Sequence, residues 1–224
     1  MPPIAPETTF QAVGDIHGRA DLLERMLQKL DPAVQTVFVG DYVDRGEDSA
    51  RVLARLKDSD AVCLKGNHEQ MMLDFLDAPE RRGSLWLHNG GLQTLASFGV
   101  GLAESTPQAL GQARDALHEK MGNELRDWLR ALPLDWQTGN VAVVHAGADP
   151  ALPINDQAPE TLIWGHPEFD SVQREDGIWI VHGHTIVGGP SAKEGRVSID
   201  TGAFATGQLT AATVTSGAVS FVTA

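Results

Sequence analysis

Along the chain, short apolar runs that break off at polar residues alternate with stretches whose apolar positions recur every three or four residues. This is the pattern of strands alternating with helices. Thr9 to Val13 predicts a first strand, which runs into Gly14-Asp15-Ile16-His17-Gly18. Asp21 to Leu30 then places Leu22, Leu23, Met26, Leu27 and Leu30 on one helical face, with Asp21 in the N-terminal turn. Thr36 to Val39 predicts the second strand, so the opening is a strand-helix-strand unit whose parallel pairing takes a right-handed crossover. A helix over Ser49 to Leu56, a third short strand over Ala61 to Leu64 and a helix over Glu69 to Leu76 follow.

From about Pro79 to Pro133 no strand-like run occurs, and the segment reads as an amphipathic helical insertion. Leu117, Met121, Leu125, Trp128 and Leu129 form one stripe, and Trp86, Leu87, Leu92, Leu95 and Phe98 another. Stripes of this kind are more often ordinary core than a ligand surface, so the segment is either a cap over a site or a packed helix pair. Asn89-Gly90-Gly91 predicts a bend. Strands resume at Val141 to Val144, Ile178 to Val181 and Arg196 to Ile199, and the end reads as a hairpin about Ser216-Gly217.

With 224 residues and no evident linker or repeat, the expectation is an α/β fold in one domain over 1–224, with the insertion at about 79–133. A net charge of −13 repels nucleic acid and anionic lipid, which argues against both as partners. The Pro-rich start has neither a basic nor an apolar leader segment, and no apolar run is long enough to span a bilayer, so a cytoplasmic protein is expected. The single cysteine, Cys63, sits in an apolar run and reads as a buried thiol.

Six of the strand-like runs end in a carboxylate, amide or imidazole of a kind that can bind metal. The ends carry Asp15 and His17, Asp41, Asn67 and His68, His145, His182 and His184, and Asp200. Strand ends hold such loops in register, which is why ligands collect there. Taken singly, each motif has a plainer reading: a histidine satisfied in the core, a Gly-Asp turn, or Asp44 paired with Arg45 in a loop. Together, Asp15, His17, Asp41, Asn67, His145 and His184 meet the needs of a centre with two metal ions. Their mixed oxygen and nitrogen donors suit Mn²⁺, Fe or Zn²⁺.

Gly14 to Gly18, Gly40-Asp41-Tyr42-Val43-Asp44-Arg45-Gly46, Gly66-Asn67-His68-Glu69, His145-Ala146-Gly147 and His182-Gly183-His184-Thr185 resemble the signature set of the calcineurin-like metallophosphoesterases. Within that set the chain is similar to the phosphoprotein phosphatases in their compact bacterial serine/threonine form, over roughly Gly14 to Gly207. The resemblance implies a four-layer α/β/β/α sandwich with Asp15, His17 and Asp41 on one metal. Asp41 bridges to a second metal held also by Asn67, His145 and His184. It further implies His68 as general acid oriented by Asp44, Arg45 as phosphate clamp, and in-line attack on phosphorus by a water activated between the two metals, roughly 3.5 to 4 Å apart.

Two positions depart from the relatives. Ile186 stands where many metallophosphoesterases have a further histidine, which favours the phosphoprotein phosphatase subgroup. Trp164-Gly165-His166 stands where bacterial relatives carry Trp-x-Arg, so His166, or Arg174 in its place, is expected at the second phosphate contact beside Arg45 and Asn67. The leading expectation is a serine/threonine phosphatase acting on a phosphorylated protein or small phosphoester. A symmetrical dinucleoside tetraphosphate hydrolase and a non-catalytic metal-binding regulator are the rivals.

Overall fold

The computed structural model describes residues 1–224. In β1 (Phe10–Val13) every residue is buried, so this strand must be covered on both faces. Phe10 and Ala12 join one apolar cluster and Val13 another, which places β1 inside a sandwich. The first sheet has the order β10-β9-β1-β2-β3, with β2 at Gln35–Phe38, β3 at Val62–Cys63, β9 at Thr210–Thr215 and β10 at Ala218–Thr223. Here β1 pairs in parallel with β2, and β2 with β3, as the opening pattern requires. The expected hairpin is β9 and β10, turning through Gly217 in a left-handed conformation.

The second sheet has the order β4-β5-β6-β8-β7, formed by Asp135–Thr138, Val141–Val144, Trp179–His182, Arg196–Ser198 and, at one edge, β7 at Ser191–Lys193. Its central strands β5, β6 and β8 are parallel. Val141, Val143, Val181 and Val197 face Val37, Val39, Phe10 and Ala12 across the inter-sheet core, while Ala142, Val144 and Ile180 face outward under α7 (Pro159–Trp164). β4 and β7, which the sequence pattern does not flag, are short edge strands with few apolar residues.

Helices α1 (Ala20–Leu27), α2 (Ser49–Lys57) and α3 (Asn67–Asp77) cover the outer face of the first sheet. The inserted segment packs into the same layer. It comprises α4 (Pro79–Trp86), a kinked turn over Leu87–Gly91, α5 (Leu92–Ser97) and α6 (Pro107–Ala131), broken at Gly122. Leu117, Met121, Leu129, Trp86 and Leu95 are buried there as core, whereas Leu92 is exposed. The expected bend falls at Gly90, with φ 109°. A short α8 (Ala203–Thr206) follows β8. The four layers are those expected, Cys63 is buried, and no helix is long and apolar enough to cross a membrane.

Candidate metal centre

The three parallel strands of each sheet end at one edge of the sandwich, and the two sheets close on each other there. A Cβ on Gly14 would stand 2.5 Å from the Ile199 carbonyl oxygen, so only glycine lets the ends of β1 and β8 come this near. The loops beyond these ends turn sharply. Six non-glycine residues have positive φ, and five of them are His17, Asp41, Asp44, Arg45 and His184. Such backbone costs of order 1–3 kcal/mol per residue and persists where surrounding contacts enforce it.

Glu69 enforces much of it. From the first turn of α3 its carboxylate accepts the backbone N–H groups of Asp41 and Gly66 at 2.9 Å and of Tyr42 at 2.8 Å. The helix begins at Asn67, two residues before the predicted start, so Asn67 and His68 project from a helical turn rather than a loop.

Asp41 is the hub. Its Oδ2 lies 3.5 Å from His17 Nε2, and its Oδ1 lies 3.4 Å from His145 Nε2 while accepting the His68 backbone N–H at 3.0 Å. Ligand atoms of His17, Asp41 and His68 lie within 4.8 Å of one another, as do those of Asp41, His145 and His184. Asn67 Oδ1 stands 2.9 Å from His145 Nε2 and 3.0 Å from His184 Nδ1. Asp15, expected on the first metal, turns its carboxylate to the His184 backbone N–H at 3.1 Å.

The tautomers test whether cations fit. His17 Nδ1 faces the Val43 carbonyl at 2.8 Å and His145 Nδ1 faces that of Val39 at 3.1 Å, so both carry their proton on Nδ1 and aim an Nε2 lone pair inward. Burial lowers His17 to about 3 and His145 to about 4, so both rings are neutral near pH 7. Lone pairs of His145 and Asn67 thus face each other at hydrogen-bond distance with no proton between them, an arrangement that a cation resolves. Arg45 already sets a cationic Nη1 against His17 Nε2 at 3.2 Å.

The carboxylates agree. Burial, with Asp200 and Asp41 adding to it, pushes Asp15 well above its ordinary range. Burial and Asp41 bring Glu69 up to about 7, and burial brings Asp200 up to about 6. Burial opposes the charge of Asp41 as well, yet its pKa lies below the ordinary range: a charged His68 and the His68 backbone N–H favour the carboxylate, and His145 and His17 add to this only where they are protonated. Packing this many acids together is what bound divalent ions offset.

Beside the cluster, His68 Nδ1 donates to Asp44 Oδ2 at 2.6 Å. Burial disfavours a charged His68, but Asp41 and Asp44 prevail and hold its pKa above the ordinary value. Asp44 is itself fully buried and receives Trp86 Nε1–H at 3.0 Å to both oxygens and the Thr94 hydroxyl at 2.7 Å. Arg45 lies with its guanidinium carbon 4.6 Å from the centre of the Phe204 ring. Trp86, Thr94 and Phe204 escape the motif reading. A buried tryptophan N–H needs an acceptor, which is the one sequence signal that pointed toward Asp44.

Arg174 and His166 stand elsewhere than the second phosphate contact, and His182 stands behind the ligands. Arg174 is not a phosphate clamp: it is buried, paired with Asp176, and donates to the Asp149 and Leu152 carbonyls at 2.8 Å, tying down a loop. His166 has Asp149 at 3.7 Å and accepts the Glu168 N–H, so its ring also serves this loop. His182 lies beneath the site, accepting from the Ser198 hydroxyl at 2.9 Å and edge-on to Phe169.

Comparison with known proteins agrees with this geometry. The family described as calcineurin-like phosphoesterase matches residues 8–200. A segment is 45% identical over 82 residues to serine/threonine-protein phosphatase 1 of Salmonella typhimurium, 35% of this chain and 37% of that protein's length. An asymmetrical bis(5'-nucleosyl)-tetraphosphatase, PrpE of Oceanobacillus iheyensis, is 28% identical with 89% of this chain and 86% of its own covered. A symmetrical bis(5'-nucleosyl)-tetraphosphatase of a Janthinobacterium species is 33% identical over 63% of this chain and 44% of its own. A solved structure assigned as a diadenosine tetraphosphatase superposes with a TM-score of 0.68 over 96% of this chain and 93% of its own, at 22% identity.

Proposed function

The chain belongs to the calcineurin-like phosphoesterases and is a metal-dependent phosphoric ester hydrolase, and from that premise we propose that it removes phosphate from serine or threonine side chains. The observation that carries this reading is the His68–Asp44 dyad. An alkoxide of serine or threonine is a poor leaving group and needs a proton as it departs, whereas a nucleotide phosphate leaves without one. A buried imidazole held charged by a carboxylate is the device for the first task.

Two divalent ions in the Asp41 cluster, held by His17 and Asp15 on one side and Asn67, His145 and His184 on the other, would activate a water and offset charge on the phosphoryl oxygens. The family's use of a dinuclear centre fits this donor set, and Mn²⁺ is our choice of ion. Asp41 sets the spacing of the two halves. Arg45, seated on the Phe204 ring beside the cluster, would set its guanidinium against the phosphate. His68 delivers its proton from Nε2 to the leaving oxygen while Asp44 keeps Nδ1 protonated. His166 and Arg174, the two residues expected at a second phosphate contact, are both engaged by the loop around Asp149, so the reading rests on Arg45 for the guanidinium contact.

A symmetrical or asymmetrical dinucleoside tetraphosphatase is the second reading, favoured by the relatives that match along most of the chain. Turnover by protein stripped of metal and reloaded with Mn²⁺ decides between them, read as phosphate released from a phosphothreonine peptide and as ADP, or AMP and ATP, formed from diadenosine tetraphosphate at matched concentrations. The expected result is a higher kcat/KM on the peptide. A higher value on the dinucleotide assigns the protein to nucleotide hydrolysis.

A further inference from the structure

The helical insertion belongs to the first helical layer by packing, yet two of its side chains end on Asp44. Trp86 closes α4 and Thr94 stands in α5, on either side of the kinked turn Leu87–Gly91. Gly90, with φ 109°, breaks the helical run between them. Here it rotates α5 relative to α4 so that both donors converge on one carboxylate. Trp86 Nε1–H bridges Asp44 Oδ1 and Oδ2, and Thr94 Oγ1 both donates to Oδ1 and accepts the Asp44 backbone N–H at 2.9 Å. His68 takes only Oδ2. The same turn braces the next residue: the Arg45 N–H points at the Gly90 carbonyl at 3.4 Å, and a Cβ at Gly90 would stand 2.6 Å from that nitrogen.

The energetic logic is specific. Asp44 has φ 72°, so its backbone is held in a conformation it would leave if free. His68 engages Oδ2 alone, so the hydrogen bonds that hold Oδ1 come from Trp86 and Thr94. Trp86 is buried with its ring tilted on Phe75 at 4.7 Å between centroids, so its N–H direction is set by packing.

We propose that Trp86 and Thr94 are positioning residues for the proton donor: the helical insertion, through these two hydrogen-bond donors, fixes the Asp44 carboxylate and thereby the direction of the His68 imidazole. This rests on His68 acting as general acid.

Kinetics on two esters test it, using Mn²⁺-loaded protein with a phosphothreonine peptide and with p-nitrophenyl phosphate, whose leaving group needs no proton. Trp86→Phe keeps the ring packing and removes the N–H; Thr94→Val removes the hydroxyl and Thr94→Ser restores it. Each donor loss is expected to lower kcat on the peptide by about 10- to 100-fold, the effect of one hydrogen bond to a charged group, with KM nearly unchanged. The loss on p-nitrophenyl phosphate is expected to be under about twofold, Thr94→Ser recovers most of the activity, and neither change lowers activity further when added to His68→Asn. Equal losses on both esters, additive losses on top of His68→Asn, or no loss in a folded variant would each overturn the proposal. If His68→Asn alone affects the two esters equally, the general-acid reading fails first. If Trp86→Phe does not fold, the Thr94 pair decides the matter.

Discussion

Asp41→Asn is expected to abolish metal binding at both positions and to lower phosphate release by about 10³-fold or more, because several kcal/mol of transition-state charge stabilisation leave with the metals. Asp41 is the one residue in both ligand groups, with Oδ2 toward His17 and Oδ1 toward His145. The substitution is nearly isosteric and keeps the Oδ1 acceptor for the His68 backbone N–H, so the loop need not change. It removes the negative charge, and it sets an N–H₂ where an oxygen faced a histidine lone pair. Metal content by elemental analysis and phosphate release on the same samples check the expectation together. The stripped variant should unfold within a few degrees of stripped wild type, whereas wild type alone gains stability on metal addition. A variant that retains one metal and a tenth of the activity would remove Asp41 from the bridging role.

His68→Asn carries the second large effect, and its size should depend on the ester. General acid catalysis contributes typically about 10² to 10⁴ in rate, so a phosphothreonine peptide should lose about that much and p-nitrophenyl phosphate far less. The pH dependence has a definite sign. His68 donates only while protonated, and against burial, which disfavours its charge, Asp41 and Asp44 favour it, so wild-type kcat/KM on the peptide should fall as pH rises through the pKa of His68, and His68→Asn should lack this descending limb. Cations at Asp41 weaken that residue's hold on the imidazolium, which leaves Asp44 as the anion that keeps it charged. A profile with the same descending limb in variant and wild type would assign the limb to another group.

The chain announces the centre of its fold and conceals the periphery for the same physical reason. β1 and β5 are buried along their whole length and β2 and β6 at their C-terminal ends, so they read as short, largely apolar runs, and the glycines and acids that follow mark where the chain must turn. β4 and β7 pair along one edge with mostly polar residues and leave no periodic trace. That Asp41, Asn67, His145 and His184 come together was legible because they follow the ends of strands that parallel sheets bring to one edge. What fixes those groups was not legible: Glu69 acts through backbone N–H groups 26 to 28 positions away, and Trp86 and Thr94 act on Asp44 from 42 and 50 positions away. Periodicity assigned Trp86 to the core, which is correct for its ring and silent about its N–H. Arg174 had the right chemistry for a clamp and the wrong neighbour, since Asp176 two residues on captures it.

Activity measured against metal equivalents tests the central claim most directly: protein stripped with a chelator, titrated with Mn²⁺, and assayed for phosphate release from the peptide. The account expects no turnover in the stripped protein, a steep rise on filling the second position, and a plateau at two ions per chain. Full activity at zero or one equivalent would contradict a dinuclear centre built on Asp41.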